Sequence, residues 1–320
     1  MLNDRLSACL VGFGEKWTLT YLQRIEKYGV RFTIFVDATF LYKLKMYASQ
    51  YENAADDYEK ISTHIKELQL RGHEIQLHIH PHWFYSTYDG MEWHLDHQHY
   101  KLSDLPMDEA EKIFSLSKSL LDEIVGHSTM AFRAGGFSVQ PTEIVLRLFN
   151  QNGIKIDSSV LPGNSYNSPQ QKYDYLNSPN KEIYRFQDDI CMETSNGEFF
   201  EIPITTSRLS PLFYWKLVIT RLFKMKKHQL YGDGCAVQTT SESIIERLTK
   251  PTLAMATIDG FKINYLHGIY SSAKQRNQKY MCVIGHPKLT TNYSIDKLEK
   301  FCCNVIDNGD RFITISECYE

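Results

Sequence analysis

The sequence predicts an α/β domain on a mostly parallel sheet that closes, or nearly closes, into a barrel. Three observations carry that prediction. Strand-like apolar runs alternate with amphipathic helical runs along the chain, several helical runs end on glycine, and long polar segments follow the strands. With seven or eight such units in one chain, right-handed crossovers and a closed barrel are the economical arrangement. An open doubly wound sheet is the alternative, but no glycine-rich fingerprint follows an early strand, and VGFGEKW is too short a match to count.

In chain order, TLTYLQRIEKYG (18–29) has a helical pattern closed by Gly29, and VRFTIFVDA (30–38) is rich in β-formers. A second helical pattern, 58–72, ends on Gly72 and leads into the strand-like HEIQLHIH. The segment 106–126 reads as a helix with acidic residues in its first turn, followed by the apolar run of TMAFRAGG. The helical pattern of 140–153 precedes IKIDSSV. Four more strand candidates follow, FFEIPIT, TLAMATI, KYMCVIGH and RFITISE, with a helix over 294–309 between the last two. Residues 83–105 and 162–184 read as long loops, and the whole of 1–320 as one domain.

The chain has 320 residues, ample for a large core, and a net charge of -3, which provides no global field toward nucleic acid or an anionic membrane. Seven scattered cysteines without a CxxC pair point to free thiols in a reducing cytoplasm. The N-terminal stretch has neither a basic region followed by a continuous apolar core nor the composition of a transit peptide. The segment 210–228 combines apolar residues with Lys216, Arg221, Lys224, Lys226 and Lys227. The favoured expectation is a helix packing its apolar stripe on the domain, and peripheral contact with the inner membrane is the alternative.

The stretch GHEIQLHIHPHW places His78, His80 and His82 at alternate positions after an apolar run. Pro81 argues against continued central pairing, and a helical first turn there makes His78 and His82 neighbours at i, i+4. That spacing suits two nitrogen ligands on one divalent ion. Arg133 in FRAGG and His286 in GHPK stand at other strand ends, where the rim of a barrel gathers polar groups toward one site. Gly135 and Gly136 allow close backbone approach, whereas Asp157 reads as a loop cap.

At these residues the sequence resembles the NodB-type polysaccharide deacetylases of carbohydrate esterase family four. TIFV resembles the family's Thr-Phe-Phe-Val strand, and HIHPH its His-x-x-x-His metal motif. FRAGG resembles its arginine motif, GHPK its late histidine motif, and FITISE its usual domain end. QLHIHPHW, DSSVLPG and GHPK further resemble a WbmS-like branch associated with O-antigen and capsule biosynthesis. The resemblance implies a distorted (β/α)7 barrel and a zinc ion, or nickel or cobalt, held by His78 and His82. It also implies an Arg133 that orients the base and a general acid at His286. His80, Trp83, Gly135 and Gly136 fall where substrate would bind.

The family's aspartate-bearing first strand has no counterpart before TIFV. On one alignment Glu15 stands in for the base. On the other the strand is not in this chain, either because the start is set too late or because the protein is a natural variant without the base.

The expected chemistry is metal-assisted removal of an N- or O-linked acetyl or formyl group from a nucleotide-linked or lipid-linked sugar, with activity impaired in this chain unless Glu15 substitutes for the base. Two competitors stand beside it. One is an amidohydrolase-type hydrolase using His-x-His, and the other is a glycan-binding pseudo-enzyme with Trp83, Tyr85, Trp93 and Tyr100 as stacking rings. Nucleic acid is not an expected partner, and the sequence leaves the oligomeric state open.

Overall fold

In the computed structural model, residues 22–223, 225–231 and 241–319 are described. They belong to two compact units, one holding Arg31–Pro203 and Ile313–Glu320, the other Ile204–Phe312 together with the stretch ending at Val30. We call them the sheet unit and the helical unit and describe each by itself.

The sheet unit begins with β1 (Thr33–Asp37), α1 (Ala38–Tyr47), α2 (Glu52–Leu70) and β2 (Glu74–Ile79). The short α3 (His82–Tyr85) and the hairpin β3 (Thr87–Tyr88) and β4 (Trp93–His94) follow, occupying a segment expected as loop. Then come α4 (Met107–Val125), β5 (Ala131–Ala134), α5 (Thr142–Asn152) and β6 (Ile156–Asp157). The second expected loop carries the hairpin β7 (Ser165–Asn167) and β8 (Lys172–Asp174), and β9 (Tyr184–Phe186) and β10 (Phe199–Glu201) complete the unit's strands. Helices α4 and α5 end as the sequence predicts, on Gly126 and Gly153 at φ +76° and +70°, a left-handed conformation that glycine adopts without steric cost.

Six strands form a row in the order β1-β2-β5-β6-β10-β9, parallel throughout except for the last pair. The parallel β/α order is thus present, whereas the hydrogen-bonded strands of this unit do not themselves trace a seven-stranded barrel. The register fixes where the polar residues fall: Asp37 lies opposite His78, His78 opposite Arg133, and Asp157 opposite both Phe132 and Glu201. Because the strands run the same way, these residues gather along their C-terminal edge, where open parallel sheets place ligands. Beneath that edge Phe114, Phe132, Phe149, Phe186 and Phe199 are fully buried and in mutual ring contact.

RFITISE does not form the expected strand. The backbone N–H of Ile315 donates to the Thr33 hydroxyl and the Glu74 carboxylate, each at 2.9 Å, so side chains at the starts of β1 and β2 satisfy this backbone.

In the helical unit β11 (Thr206–Leu209) pairs antiparallel with β12 (Thr252–Met255), α6 (Pro211–Leu222) and α7 (Ser241–Thr249) contact each other, and α8 (Leu266–Gln275) and α9 (Asn292–Asp307) bury Leu266, Ile269, Ile295, Leu298 and Phe301. Antiparallel pairing of TLAMATI differs from the parallel strand expected. KYMCVIGH forms only an isolated parallel bridge, Ile284 to Thr257. The main-chain groups of Cys282 are taken up by one residue, its N–H by the Thr205 hydroxyl and its carbonyl by the Thr205 N–H, both at 3.0 Å. The apolar stripe expected to pack along 210–228 is largely exposed, with Leu222 at 74% and Phe223 at 75%. No described helix is long and apolar enough to cross a membrane. Among the described residues Cys191, Cys302 and Cys303 are free thiols.

Candidate active site

Strand β1 ends on Asp37, and the chain turns directly into α1. Asp37 accepts the Phe40 N–H at 3.3 Å as the N-cap of that helix, so its carboxylate is fixed by the local fold before any partner is considered. Its other oxygen lies 2.9 Å from Nδ1 of His80, in the turn after β2. The Thr39 hydroxyl donates to Asp37 and accepts the His80 N–H at 3.1 Å, closing a small ring of hydrogen bonds. Asp37 is 1% exposed. Burial pushes its carboxyl up, but His80, His78 and Thr39 outweigh burial and hold it well below the usual carboxylate range. Asp37 therefore stays charged and orients His80 with Nδ1 turned inward, leaving Nε2 as the working nitrogen.

The three imidazoles stand in series. The His78 and His80 ring centroids are 4.5 Å apart and those of His80 and His82 are 5.6 Å apart, so His80 sits between the two expected metal ligands. Nδ1 of His78 lies 2.5 Å from the carbonyl of Arg133, its neighbour in register, which fixes Nε2 as the lone-pair nitrogen. His82 opens α3 and stacks on Tyr100 at 4.6 Å. Its Nδ1 is buried with no hydrogen-bond partner among the described residues. Burial and the adjacent His80 push both His78 and His82 down to about 3, so both rings are neutral at physiological pH.

Neutral, oriented imidazoles with an uncommitted buried nitrogen suit a divalent cation. Three donor atoms do not converge here among the described residues. The group of three that lies within 4.8 Å is instead Asp89, Glu92 and His94, all exposed on the β3–β4 hairpin.

Arg133 holds its guanidinium against Ser158, donating to the backbone oxygen at 2.8 Å and the hydroxyl at 2.7 Å, and lies 4.3 Å over the Phe35 ring. Gly135 seats His80. A Cβ there would lie 2.6 Å from Cδ2 of His80 and 2.7 Å from the Ile79 carbonyl, closer than carbon atoms can stand. Gly136 adopts φ +60°, and its carbonyl accepts from the Gln171 side chain at 2.8 Å. Trp83, expected on the substrate face, is 2% exposed and packs on Phe40 and Trp93. Its ring belongs to the core that holds the 83–105 segment down, along with Tyr88 and Trp93.

Asp157 is more than a cap. It is fully buried opposite Glu201 and accepts the Ser159 N–H at 2.8 Å. Burial raises its carboxyl to about 6 against the lowering effect of Glu201 and Ser159.

In the helical unit His286 is paired with Asp259, which takes the His286 backbone N–H at 2.7 Å and lies 2.9 Å from Nδ1. Burial raises the Asp259 carboxyl, but His286 more than offsets it and keeps the group ionised. Glu15 lies outside the described residues. Sequence reasoning passed over Asp37 and Asp259. Both were signalled by an aspartate ending an apolar β-rich run, TIFVD and TIDG, where a charged group is costly unless partnered.

No protein-family model matches the chain, and no curated protein matches it. Among solved structures it is similar to a Mycobacterium smegmatis protein described as a polysaccharide deacetylase, at 15% identity over 92% of this chain and 71% of that one, with a TM-score of 0.49. It is also similar to Puue allantoinase, at 14% identity over 96% and 72% with a TM-score of 0.46. A third is the peptidoglycan deacetylase PdaC from Bacillus subtilis, at 11% identity over 95% and 83% with a TM-score of 0.35.

Proposed function

We propose that this chain is a hydrolase that removes an N- or O-acyl group, acetyl or formyl, from a sugar destined for a surface polysaccharide. The observation that carries the reading is the Asp37–His80 hydrogen bond between flanking neutral imidazoles at the C-terminal edge of a parallel sheet. In this reading His80 is the general base, its Nε2 taking a proton from the attacking water while Asp37 stabilises the imidazolium that forms. The base is thereby supplied from within the turn after β2. Arg133 fixes the β5 end through Ser158 and, through its carbonyl, the tautomer of His78. Within the helical unit Asp259 orients His286, for which the motif implies a proton-donor role.

His78 and His82 would hold the cation, zinc first among the candidates, and it would polarise the acyl oxygen when bound. A nucleotide-linked or lipid-linked sugar of O-antigen or capsule assembly, handled in the cytoplasm, is the substrate class that the motifs favour.

The test is release of acetate or formate from N-acylated nucleotide sugars by the full chain with zinc. Loss of that release in Asp37→Asn and His80→Gln, with unchanged circular dichroism, supports the reading. A chain that binds the glycan and releases no acid overturns it in favour of a binding protein.

A further inference from the structure

Helix α6 turns an apolar face outward. Leu212, Trp215, Ile219, Leu222 and Phe223 are 63%, 50%, 50%, 74% and 75% exposed. At 3.6 residues per turn their positions fall within about 100° of arc, one continuous stripe. The other side of the helix is spent on the unit's own packing, where Tyr214 is buried and its hydroxyl accepts from Thr252 at 3.1 Å. The Trp215 indole donates to the Leu248 carbonyl of α7 at 3.1 Å, and Ile245, one turn before Leu248, is 61% exposed. Scattered exposed apolar residues need no explanation, but a stripe of this size on one helix marks a binding surface.

Charge says what it binds. Lys216, Arg221, Lys226 and Lys227 are exposed beside and just beyond the stripe, and no acidic residue occurs between Glu201 and Asp233. A basic margin around an apolar, tryptophan-bearing face complements an anionic bilayer surface. A second copy of the chain would set the same lysines against one another across a two-fold axis, an electrostatic cost that an anionic surface turns into a gain. At 12 residues α6 is too short to span a membrane, so it must lie in the plane of the interface.

We propose that α6 and the Lys226–Lys227 turn form a docking surface for anionic membranes, by which the protein attaches peripherally. The proposal rests on this face alone and is independent of the hydrolase reading, which is assayed on soluble sugars.

The experiment is flotation of the full chain with vesicles of phosphatidylcholine alone or containing phosphatidylglycerol. The expected result is capture by phosphatidylglycerol vesicles at least about ten-fold above phosphatidylcholine, falling as NaCl rises from about 0.1 M to about 0.5 M. Leu222→Asp with Phe223→Asp, and separately Lys226→Glu with Lys227→Glu, should each lower capture by about ten-fold without lowering Tm, since all four side chains are exposed. Failure to float with anionic vesicles, or capture unchanged in both variants, overturns the proposal. Dimerisation without flotation, removed by Leu222→Asp with Phe223→Asp, overturns it and assigns the face to a second copy.

Discussion

Asp37 stands opposite His78 in the β1–β2 ladder, yet its carboxylate reaches past that partner to Nδ1 of His80 at 2.9 Å. The turn at Pro81 makes this diagonal reach possible, by ending the strand and bringing the His80 ring back over β1. The relationship places a buried anion beside an oriented imidazole that two neutral imidazoles flank.

If His80 is the general base, Asp37→Asn removes the charge that stabilises its imidazolium but keeps the shape of the site. The expected outcome is a fall in kcat of about 10²- to 10⁴-fold with KM little changed. Steady-state acyl release from a sugar substrate checks it, and an undiminished kcat would remove His80 from the base role.

Zinc retention should separate the imidazole cluster from the exposed hairpin group. His78→Ala and His82→Ala are expected to lose bound zinc on gel filtration, while His94→Ala, altering the Asp89–Glu92–His94 group, retains it. Metal content by atomic absorption is the measurement, with His82→Gln and its thermal unfolding curve distinguishing lost ligation from lost fold.

Gly135→Ala introduces a Cβ 2.7 Å from the Ile79 carbonyl, a backbone atom that cannot swing aside. We expect a loss of about 1–3 kcal/mol in denaturant unfolding, the usual cost of overpacking, together with reduced activity because His80 must shift. Wild-type stability in this variant would show that the His80 seat is not tight.

The buried Asp157 carboxyl predicts a pH dependence. Its folded pKa is raised to about 6 by burial, so folding favours the protonated form. Its stabilising contribution is complete below the unfolded pKa near 3.8 and is lost as pH rises through about 6. Asp157→Asn should therefore show a smaller decline in unfolding free energy between about pH 4 and about pH 7 than wild type. Parallel urea titrations measure the difference, and identical slopes would contradict the assignment.

Much of the sheet unit was legible from periodicity, because α4, α5 and their glycine ends are amphipathic segments with local stop signals. The histidine cluster was equally legible, since three imidazoles within five residues need no tertiary information to be near one another. Helix α1 was missed because ATFLYKLKMY directly follows a strand and is apolar almost throughout, so no period distinguishes it from continued β structure. The late segments KYMCVIGH and RFITISE look like strands by composition, and strand identity depends on a ladder partner that composition does not contain.

By itself the sequence determined the α/β alternation, the grouping of His78, His80 and His82, and the basic, apolar character of the 210–228 segment. All of these follow from residue type and spacing. Only the tertiary structure decided that Asp37 serves His80, that Trp83 is a core ring, that Gly135 makes room for an imidazole, and that the α6 stripe faces outward. Those outcomes depend on which side chains the fold brings within hydrogen-bonding or van der Waals distance across 40 residues or more, and on which faces it leaves uncovered. Spacing along a chain does not encode either one.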